Sequence, residues 1–498
     1  MEIFSGLLSG LQTCLQPINL LFCFIGVLIG TLVGVLPGIG PVGAISILLP
    51  LSFGLSPTTA IIMLAGIYYG AMYGGSTTSI LVNIPGEAAS VVTCIDGYQM
   101  ARQGRAGPAL GISALGSFIG GTLSVICTMF LVFPLAQSAL KFGPPEYFSL
   151  VCLGMTLLIY LAKGSVTKAV IVALFGILLS TVGVDSISGA ERFAFKSPIL
   201  LDGLGFVPVA MGLFGISEVL TNLEASLDRT IFDSKIKNLL PNLADWKRSI
   251  GPIIRGTFIG YLLGILPGGG AILSSFVSYS VEKRISKNPE AFGKGAIEGV
   301  AGPETANNAA SGGAFIPLLA LGIPPNVVIA ILMGAFMIHG VIPGPTFITQ
   351  HPKMFWGVIA SMYIGNCMLV LLNLPLIGLW VKLLKVPYRV LMPLILIFCL
   401  IGAYSLNNNV GDVIIMVVFG VVGYIMRKFG YEEAPLIMAF ILGPLLETNF
   451  RQSLIISDGR LSIFLERPIS AVTLIVAALL FISSGFSAYR KMKEKIKD

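Results

Sequence analysis

The longest stretches without a charged side chain constrain the fold of this chain more than any other feature. No Asp, Glu, Lys or Arg occurs between Glu2 and Glu87, and none occurs between Glu304 and Lys353. A helix crosses a bilayer core with about 20 apolar residues, so each stretch can hold at least one spanning helix. Of 498 residues, 55% are hydrophobic and 11% are charged, and the mean hydropathy is +0.91. The composition argues against a soluble globular protein and predicts an integral membrane protein.

The apolar runs are continuous, whereas the strands of a membrane β-barrel alternate in segments of about 10 residues. The sequence therefore predicts an all-α polytopic membrane protein with about 10–12 transmembrane helices. The formal charge is +7, but the basic residues lie in the loops and in the C-terminal tail, at 490–497. The positive-inside rule then places the C-terminus in the cytoplasm, and no nucleic-acid partner is expected.

Two motifs recur in the same order in both halves of the chain. "GTLVGVLPGIGPVGAI" is echoed by "GTFIGYLLGILPGGGAI", with Leu36 and Leu266 230 residues apart, and "GGSTTSILVNIPG" is echoed by "GGAFIPLLALGIPP", with Ile84 and Ile323 239 apart. Lys and Arg flank the Leu-Pro-Gly unit only in the second copy and follow the Ile-Pro unit only in the first. The positive-inside rule therefore predicts that the two copies are inserted in opposite orientations.

This repeat suggests a division of the chain. We predict a first inverted repeat at 1–200, a connecting helix with a charged cytoplasmic loop at 201–250, a second inverted repeat at 251–430, and C-terminal helices with a basic cytoplasmic tail at 431–498. Each repeat is expected to contain a re-entrant hairpin, at 30–50 and 256–281, and a broken helix, at 58–86 and 290–338. The hairpin tips are Pro37, Gly38 and Gly40 in the first copy and Pro267, Gly268, Gly269 and Gly270 in the second. The alternative for each hairpin is an ordinary tight turn between two spanning helices.

A broken helix exposes backbone N–H and C=O groups that hydrocarbon does not tolerate unless something binds them. Transporters use such half-helix ends to bind anions and coupling ions. The predicted breaks are at Gly74, Gly75, Pro85 and Gly86 in the first copy and at Gly312, Gly313, Pro324 and Pro325 in the second. The predicted substrate-binding residues are Ser76, Thr77, Thr78 and Asn83 from the first copy and Asn307, Asn308 and Ser311 from the second.

The most polar run of the apolar chain is "AGPETANNAASGG", residues 301–313. Pro303 suits the first turn of a helix, and a helix from there places Glu304 and the three polar site residues of the second copy on one face. An ionisable residue inside a membrane segment is costly, so Glu304 is the candidate for the coupling ion or proton. The alternative is that Glu304 and the asparagines only bond to neighbouring helix ends. The two histidines are too few for a histidine-based metal centre, and no metal beyond Na⁺ is expected.

Together, "LPGIGP", "YGGSTTSILVNIPGE", "TCIDGYQMARQGRAGPAL", "LPGGG", "GPETANNAASGGAFIPLLALGIPP" and "GVIPGP" closely resemble the large transmembrane subunit of tripartite tricarboxylate transporters. The resemblance implies a permease rather than an enzyme, with no catalytic residues and no cofactor. It further implies import of citrate-like tri- or dicarboxylates across the bacterial inner membrane, driven by Na⁺ or H⁺, with Na⁺ the first choice. The implied partners are a small membrane subunit and a periplasmic substrate-binding protein.

Repeats of this kind are also similar to those of elevator transporters, and that mechanism rests on analogy. Two other classes stay open at this point. A membrane-embedded enzyme would need a nucleophile and base, or a metal cluster, at membrane depth. A scaffold subunit without transport activity would leave the two polar sites in matched positions unexplained.

Overall fold

The computed structural model describes residues 2–36, 40–160, 165–185, 187–224, 238–268, 270–383 and 388–495. Within these residues almost all regular structure is helical, and the exception is one short antiparallel ribbon in which Gly183 pairs with Arg192. The predicted all-α class is therefore confirmed. Three of the predicted hairpin-tip residues, Pro37, Gly38 and Gly269, lie outside the described residues.

The described residues of the first half form eight helices and two 3₁₀ turns. The helices are α1 Glu2–Cys14, α2 Pro17–Val35, α3 Gly40–Leu48, α4 Pro57–Val82, α5 Val91–Arg102, α6 Ala106–Ala139, α7 Pro144–Tyr160 and α8 Val166–Ser180, and the 3₁₀ turns are Leu49–Gly54 and Ala88–Ser90. The connecting region follows with β1 Gly183–Val184, β2 Glu191–Arg192, α9 Pro198–Leu201, α10 Phe206–Ala210, a π-helical turn at Met211–Ile216, and α11 Ser217–Glu224.

The second half repeats the order of the first and adds further helices. They are α12 Leu243–Ile265, α13 Gly270–Ile285, α14 Glu298–Gly313, α15 Phe315–Leu321, α16 Val327–Ile338, α17 Phe347–Gln350, α18 Pro352–Asn373, α19 Ile377–Leu383, α20 Tyr388–Asn407, α21 Val410–Lys428, α22 Glu433–Ile456, α23 Ile463–Glu466 and α24 Pro468–Lys495, with a 3₁₀ turn at Pro289–Ala291.

Five helical segments in the described ranges are long and apolar enough to cross a membrane by themselves. They are Pro17–Val35, Ala106–Ala139, Phe206–Glu224, Pro352–Asn373 and Val410–Lys428. Shorter apolar helices accompany them, because the hairpins and breaks divide the remaining apolar sequence. The chain is thus a multi-pass membrane protein, and the figure of about 10–12 crossings stays a prediction.

Each Leu-Pro-Gly motif lies between two helices, α2 and α3 in the first copy and α12 and α13 in the second, and we call these helix pairs the hairpins. Their re-entrant insertion stays a prediction. α2 and α12 end 230 residues apart, and α3 and α13 begin at Gly40 and Gly270, which have φ angles of 64° and 49°. These positive φ angles require the conformational freedom of glycine. The first helix of each pair, α2 or α12, begins before the predicted hairpin bounds of 30 and 256. For α12 the reason is a capping box between Asn242 and Asp245, which starts the helix inside a basic segment that looked like a loop.

Glycines bring each hairpin into direct backbone contact with the helix that follows it. A Cβ at Gly26, Gly30 or Gly34 of α2 would lie 2.2–2.4 Å from a carbonyl oxygen of α4, and the residues 230 positions later in α12 contact α14 in the same way. Those later residues are Gly256, Gly260 and Gly264, and their distances are 2.5, 2.2 and 2.3 Å. Side chains larger than hydrogen do not fit, so the glycines fix how each hairpin packs.

The predicted break at Gly74 and Gly75 is wrong, because α4 runs through both without interruption. A Cβ at Gly74 would lie 2.2 Å from the carbonyl oxygen of Thr31, so this glycine serves close packing. The first break follows α4 at Asn83, whose φ is 59°, and Pro85 and Gly86 lie within it.

In the second copy, α14 ends at Gly313, a single turn residue separates it from α15, and the wider break starts at Gly322. The φ of Gly322 is 69°, so it occupies the same left-handed conformation as Asn83, 239 residues earlier. Pro324 and Pro325 lie in this break. α14 also begins at Glu298, and Pro303 lies inside it instead of starting it. The ring removes one intrahelical hydrogen bond, and the close packing of α14 against α6, α12 and α13 compensates.

The helices pack in two groups. The first contains both hairpins and both broken helices, together with α1, α5, α6 and α18. A second hydrophobic core joins α7, α8, α10, α21 and α22. The two groups are in contact, since Ala330 of α16 belongs to the second core and Met416 of α21 belongs to the first. The space between the two groups contains the candidate site.

Candidate functional site

An open cavity of about 910 Å³ lies between the two groups, and we call it the main cavity. The first residues of several helices line it. They are 40–42 of α3, 88–89 ahead of α5, 270–273 of α13, 327–328 of α16 and 433–435 of α22. The N-terminus of a helix presents unpaired N–H groups and the positive end of its dipole, so their convergence favours an anionic ligand.

Equivalent N-cap residues of the two copies project into this cavity. The Glu87 carboxylate accepts a hydrogen bond of 2.5 Å from the backbone N–H of Ala89, and the Asn326 side chain accepts one of 3.0 Å from the N–H of Ile329. Glu87 and Asn326 are 239 residues apart, like the two left-handed caps. The Asn326 amide also donates to the hydroxyl of Tyr68 at 3.5 Å.

Behind the cavity wall, Glu304 is only 1% exposed. The Ser76 hydroxyl donates to one oxygen of its carboxylate at 2.5 Å, and the Thr93 hydroxyl donates to the other. α4 and α5 of the first copy thus contact a carboxylate on α14 of the second. Side chains of both copies therefore meet at Glu304.

Asn307 lies three residues after Glu304 on α14 and contacts Glu87, which lines the main cavity. Its amide nitrogen donates to Glu87 at 3.3 Å, and its own amide oxygen has no hydrogen-bond partner among the described residues. We call the five residues Ser76, Glu87, Thr93, Glu304 and Asn307 the carboxylate cluster. Neither carboxylate forms an ion pair with a Lys, Arg or His in the part of the chain that the structure describes. Such a pair of buried carboxylates requires a proton or a cation to compensate its charge.

Asn308 and Ser311 lie on α14 beside α6 and do not join this cluster. The Asn308 amide nitrogen donates to the Ser117 hydroxyl at 2.7 Å, and the Ser311 hydroxyl donates to the backbone oxygen of Asn308 at 2.7 Å. Both line a separate small crevice with Asn366. The sequence predicted one polar face on this helix. In the structure its residues divide between the carboxylate cluster and this crevice.

The other predicted substrate-binding residues are dispersed. The Thr78 hydroxyl donates to the backbone oxygen of Val35 at 2.6 Å, next to the first hairpin tip. Thr77 is buried on α4. Asn83 is exposed at the end of α4, where it provides the left-handed cap. Of the four substrate-binding residues predicted in the first copy, only Ser76 lies in the carboxylate cluster.

The second helix group contributes a charged wall. The Arg427 guanidinium of α21 donates to Glu218 of α11 and to Glu433 of α22, and all three line the main cavity. We call these three residues the arginine triad. Arg427 is the one Lys or Arg among the described residues that line this cavity.

Sequence reasoning missed Glu87, Thr93, Asn326 and the arginine triad. Glu87 carried a usable signal, since it directly follows Ile-Pro-Gly and ends the long charge-free run, and Asn326 follows the matching Ile-Pro-Pro. Arg427 carried no such signal, because a basic residue near the end of an apolar run looks like those that commonly flank a membrane helix.

The fold and the site together define a class: an all-helical, multi-pass membrane protein with a cavity built from duplicated hairpins and helix breaks. Residues 20–438 match the tripartite tricarboxylate transporter TctA family. The chain belongs to that family of transporters, as the motifs indicated. The family's tripartite organisation implies partner subunits.

Two relatives are identical to this chain at more than half of the aligned positions. The chain is 52% identical over 496 residues to an uncharacterized 52.8 kDa protein in the TAR-I ttuC' 3' region of Agrobacterium vitis, covering 100% of this chain and 99% of that protein. It is 54% identical over 237 residues to an uncharacterized protein in the TAR-II ttuC' 3' region of the same species, covering 48% of this chain and 98% of that protein. No solved structure matches.

Proposed function

We propose that this chain is the permease subunit that imports tri- or dicarboxylates, citrate-like in charge, across the bacterial inner membrane. A periplasmic binding protein delivers the substrate, a small membrane subunit completes the complex, and the C-terminus lies in the cytoplasm. Family membership supports the transport class. The basic tail supports the orientation.

The observation that carries the proposal is the convergence of helix N-termini on the main cavity. Carboxylate substrates bring two or three negative charges, and the N-terminal turns of α3, α13 and α16 present the positive ends of their helix dipoles to the cavity. Because the two copies supply matching turns, an anion in the cavity contacts both of them. This is how discontinuous helices bind anionic substrates in other secondary transporters.

The carboxylate cluster supports the coupling role proposed for Glu304. Carboxylate, hydroxyl and amide oxygens are hard ligands, suited to Na⁺, and a carboxylate that lacks a basic partner is equally suited to a proton. Glu87 belongs to both the cluster and the cavity wall, so a bound cation lowers the electrostatic cost of an anion beside it. We propose Na⁺ as the coupling ion, with H⁺ as the alternative.

The division into two helix groups is consistent with elevator-type movement, in which the hairpins and broken helices carry the substrate past the second group. The opposite insertion of the two copies, drawn from their charge distribution, is part of the same proposal. Movement of this kind would expose the main cavity alternately to the two sides of the membrane.

The decisive experiment is counterflow of radiolabelled citrate and succinate in proteoliposomes that contain all three subunits. We expect exchange that requires Na⁺ and falls at least tenfold when Asn307 and Asn308 are both replaced by Ala. Unchanged exchange in that double variant would show that the site is assigned wrongly. No exchange of any carboxylate by the complete complex would reject the function and favour a scaffold subunit.

A further inference from the structure

The arginine triad lines the main cavity together with the N-termini of α3, α13 and α16. Arg427 is in the last turn of α21, Glu218 in the first turn of α11, and Glu433 in the first turn of α22. Its three side chains are 25%, 14% and 12% exposed, so the charges are largely removed from water but open to the cavity.

One guanidinium therefore binds two carboxylates at once. Glu218 and Glu433 reach it from different helices and use separate nitrogen atoms, one at the end of the fork and one on its side. The N–H groups that these two glutamates occupy are also the donors with which an arginine fork binds the carboxylate of a ligand. The chain's own glutamates thus occupy the positions that substrate carboxylates would need.

Both glutamates have another stabilising contact besides Arg427. The amide nitrogen of Asn222 donates to the second oxygen of Glu218 at 2.6 Å. Glu433 begins α22, where the positive end of the helix dipole favours a negative charge. Releasing either glutamate from the guanidinium consequently leaves no wholly unpaired buried carboxylate, which would be strongly unfavourable.

We propose that Arg427 recognises a carboxylate of the substrate and that Glu218 and Glu433 compete with the substrate for its guanidinium. A polycarboxylate then bridges the helix N-termini of the first group and Arg427 of the second. Monocarboxylates cannot bridge the two, so the competition selects substrates with at least two carboxylates. This inference rests on the proposed function and names its specificity-determining residue.

Equilibrium binding to the purified complex of permease and small subunit tests the proposal, with citrate, succinate and acetate as tri-, di- and monocarboxylate probes. Arg427→Gln should raise the Kd for citrate and succinate at least tenfold and leave acetate nearly unchanged. Glu218→Gln and Glu433→Gln should lower the citrate Kd about threefold each, because they remove a competitor. Arg427→Lys keeps the charge without the planar fork and should fall between wild type and Arg427→Gln.

The matched control is Arg255→Gln. Arg255 pairs with Glu282 through two hydrogen bonds, at 2.8 and 2.6 Å, away from the main cavity, and its loss should leave every Kd unchanged. A triad that only braces α11, α21 and α22 predicts the opposite sign for the glutamates, with weaker citrate binding in Glu218→Gln and Glu433→Gln. That result, or an unchanged citrate Kd in Arg427→Lys or Arg427→Gln, overturns the proposal. A wild-type complex that binds no carboxylate instead rejects the proposed function.

Discussion

At positions 239 residues apart, the first copy has Tyr68 where the second has Asn307, and Glu87 where the second has Asn326. The backbone around these pairs is nevertheless alike, with the same glycine contacts and the same left-handed caps. The glycines therefore determine how each copy packs, whereas the polar residues are free to differ. A duplicated framework with different side chains gives one asymmetric site instead of two equal ones.

The largest expected effect comes from Glu304, which has Ala65 as its counterpart in the first copy. Glu304→Gln keeps the size of the side chain but removes its charge. We expect citrate uptake to fall on the order of 100-fold, about 2.7 kcal/mol in the barrier, and to lose its dependence on Na⁺ or H⁺. The measurement is initial uptake in proteoliposomes with and without each ion gradient.

Glu298→Gln is the control for that experiment. Glu298 begins the same helix, but it pairs with Arg248 at 2.8 Å outside the carboxylate cluster. Uptake by this variant should stay within twofold of wild type. Ion-dependent uptake by Glu304→Gln at the wild-type rate would mean that Glu304 only supports helix packing.

The second prediction concerns the shared backbone contacts. In Gly30→Ala the new Cβ would lie 2.4 Å from the carbonyl oxygen of Ile67, and in Gly260→Ala it would lie 2.2 Å from that of Ala306. Each substitution should destabilise the protein by about 1–3 kcal/mol, since overpacking forces two helices apart. Thermal unfolding in detergent measures the effect, and Gly54→Ala, with no atom within 4 Å of the new Cβ, is the control. Destabilisation by only one of the two variants would contradict the equivalence of the copies.

A feature of the fold could be predicted from the sequence where the residues that form it act locally on the backbone. The Leu-Pro-Gly motifs marked the ends of α2 and α12, and the Ile-Pro motifs marked both breaks, because Gly and Pro act locally on the backbone. Gly74 and Gly75 misled for the same reason, since a glycine used for helix contact looks like a glycine used for a break. Gly74 packs against Thr31 of α2, and Gly75 packs against Glu87 beyond the end of α4, and no local pattern reveals either contact.

The candidate site was predicted only in part. Glu304, Ser76 and Asn307 were found because polar residues in apolar sequence stand out. Arg427 could not be found, since its importance follows from α21 packing beside α11, whose Glu218 is 209 residues away in sequence. Tertiary contacts between distant helices are beyond what periodicity and motif spacing report.

A third prediction makes the second copy more like the first. Asn326→Asp keeps an N-cap acceptor for the N–H of Ile329 but adds a negative charge to the main cavity. We expect unchanged thermal stability and a citrate Kd raised about tenfold, roughly 1.4 kcal/mol, by repulsion of the anion. Asn326→Ser, a neutral cap, should change neither quantity. Equal citrate binding by both variants would place the anion away from this helix end.

The smallest expected effects come from exchanging the left-handed caps. Asn83→Gly should change the free energy of unfolding by only a few tenths of a kcal/mol, because both residues tolerate positive φ and Asn83 is exposed. Gly322→Asn meets the same backbone requirement but adds a Cβ that would lie 2.6 Å from the backbone oxygen of Pro343, so it should cost about 1 kcal/mol. Thermal unfolding of the two variants side by side separates the causes. Equal, small shifts would mean that conformation alone selects the residue at both caps, whereas the expected difference assigns Gly322 a packing role that Asn83 lacks.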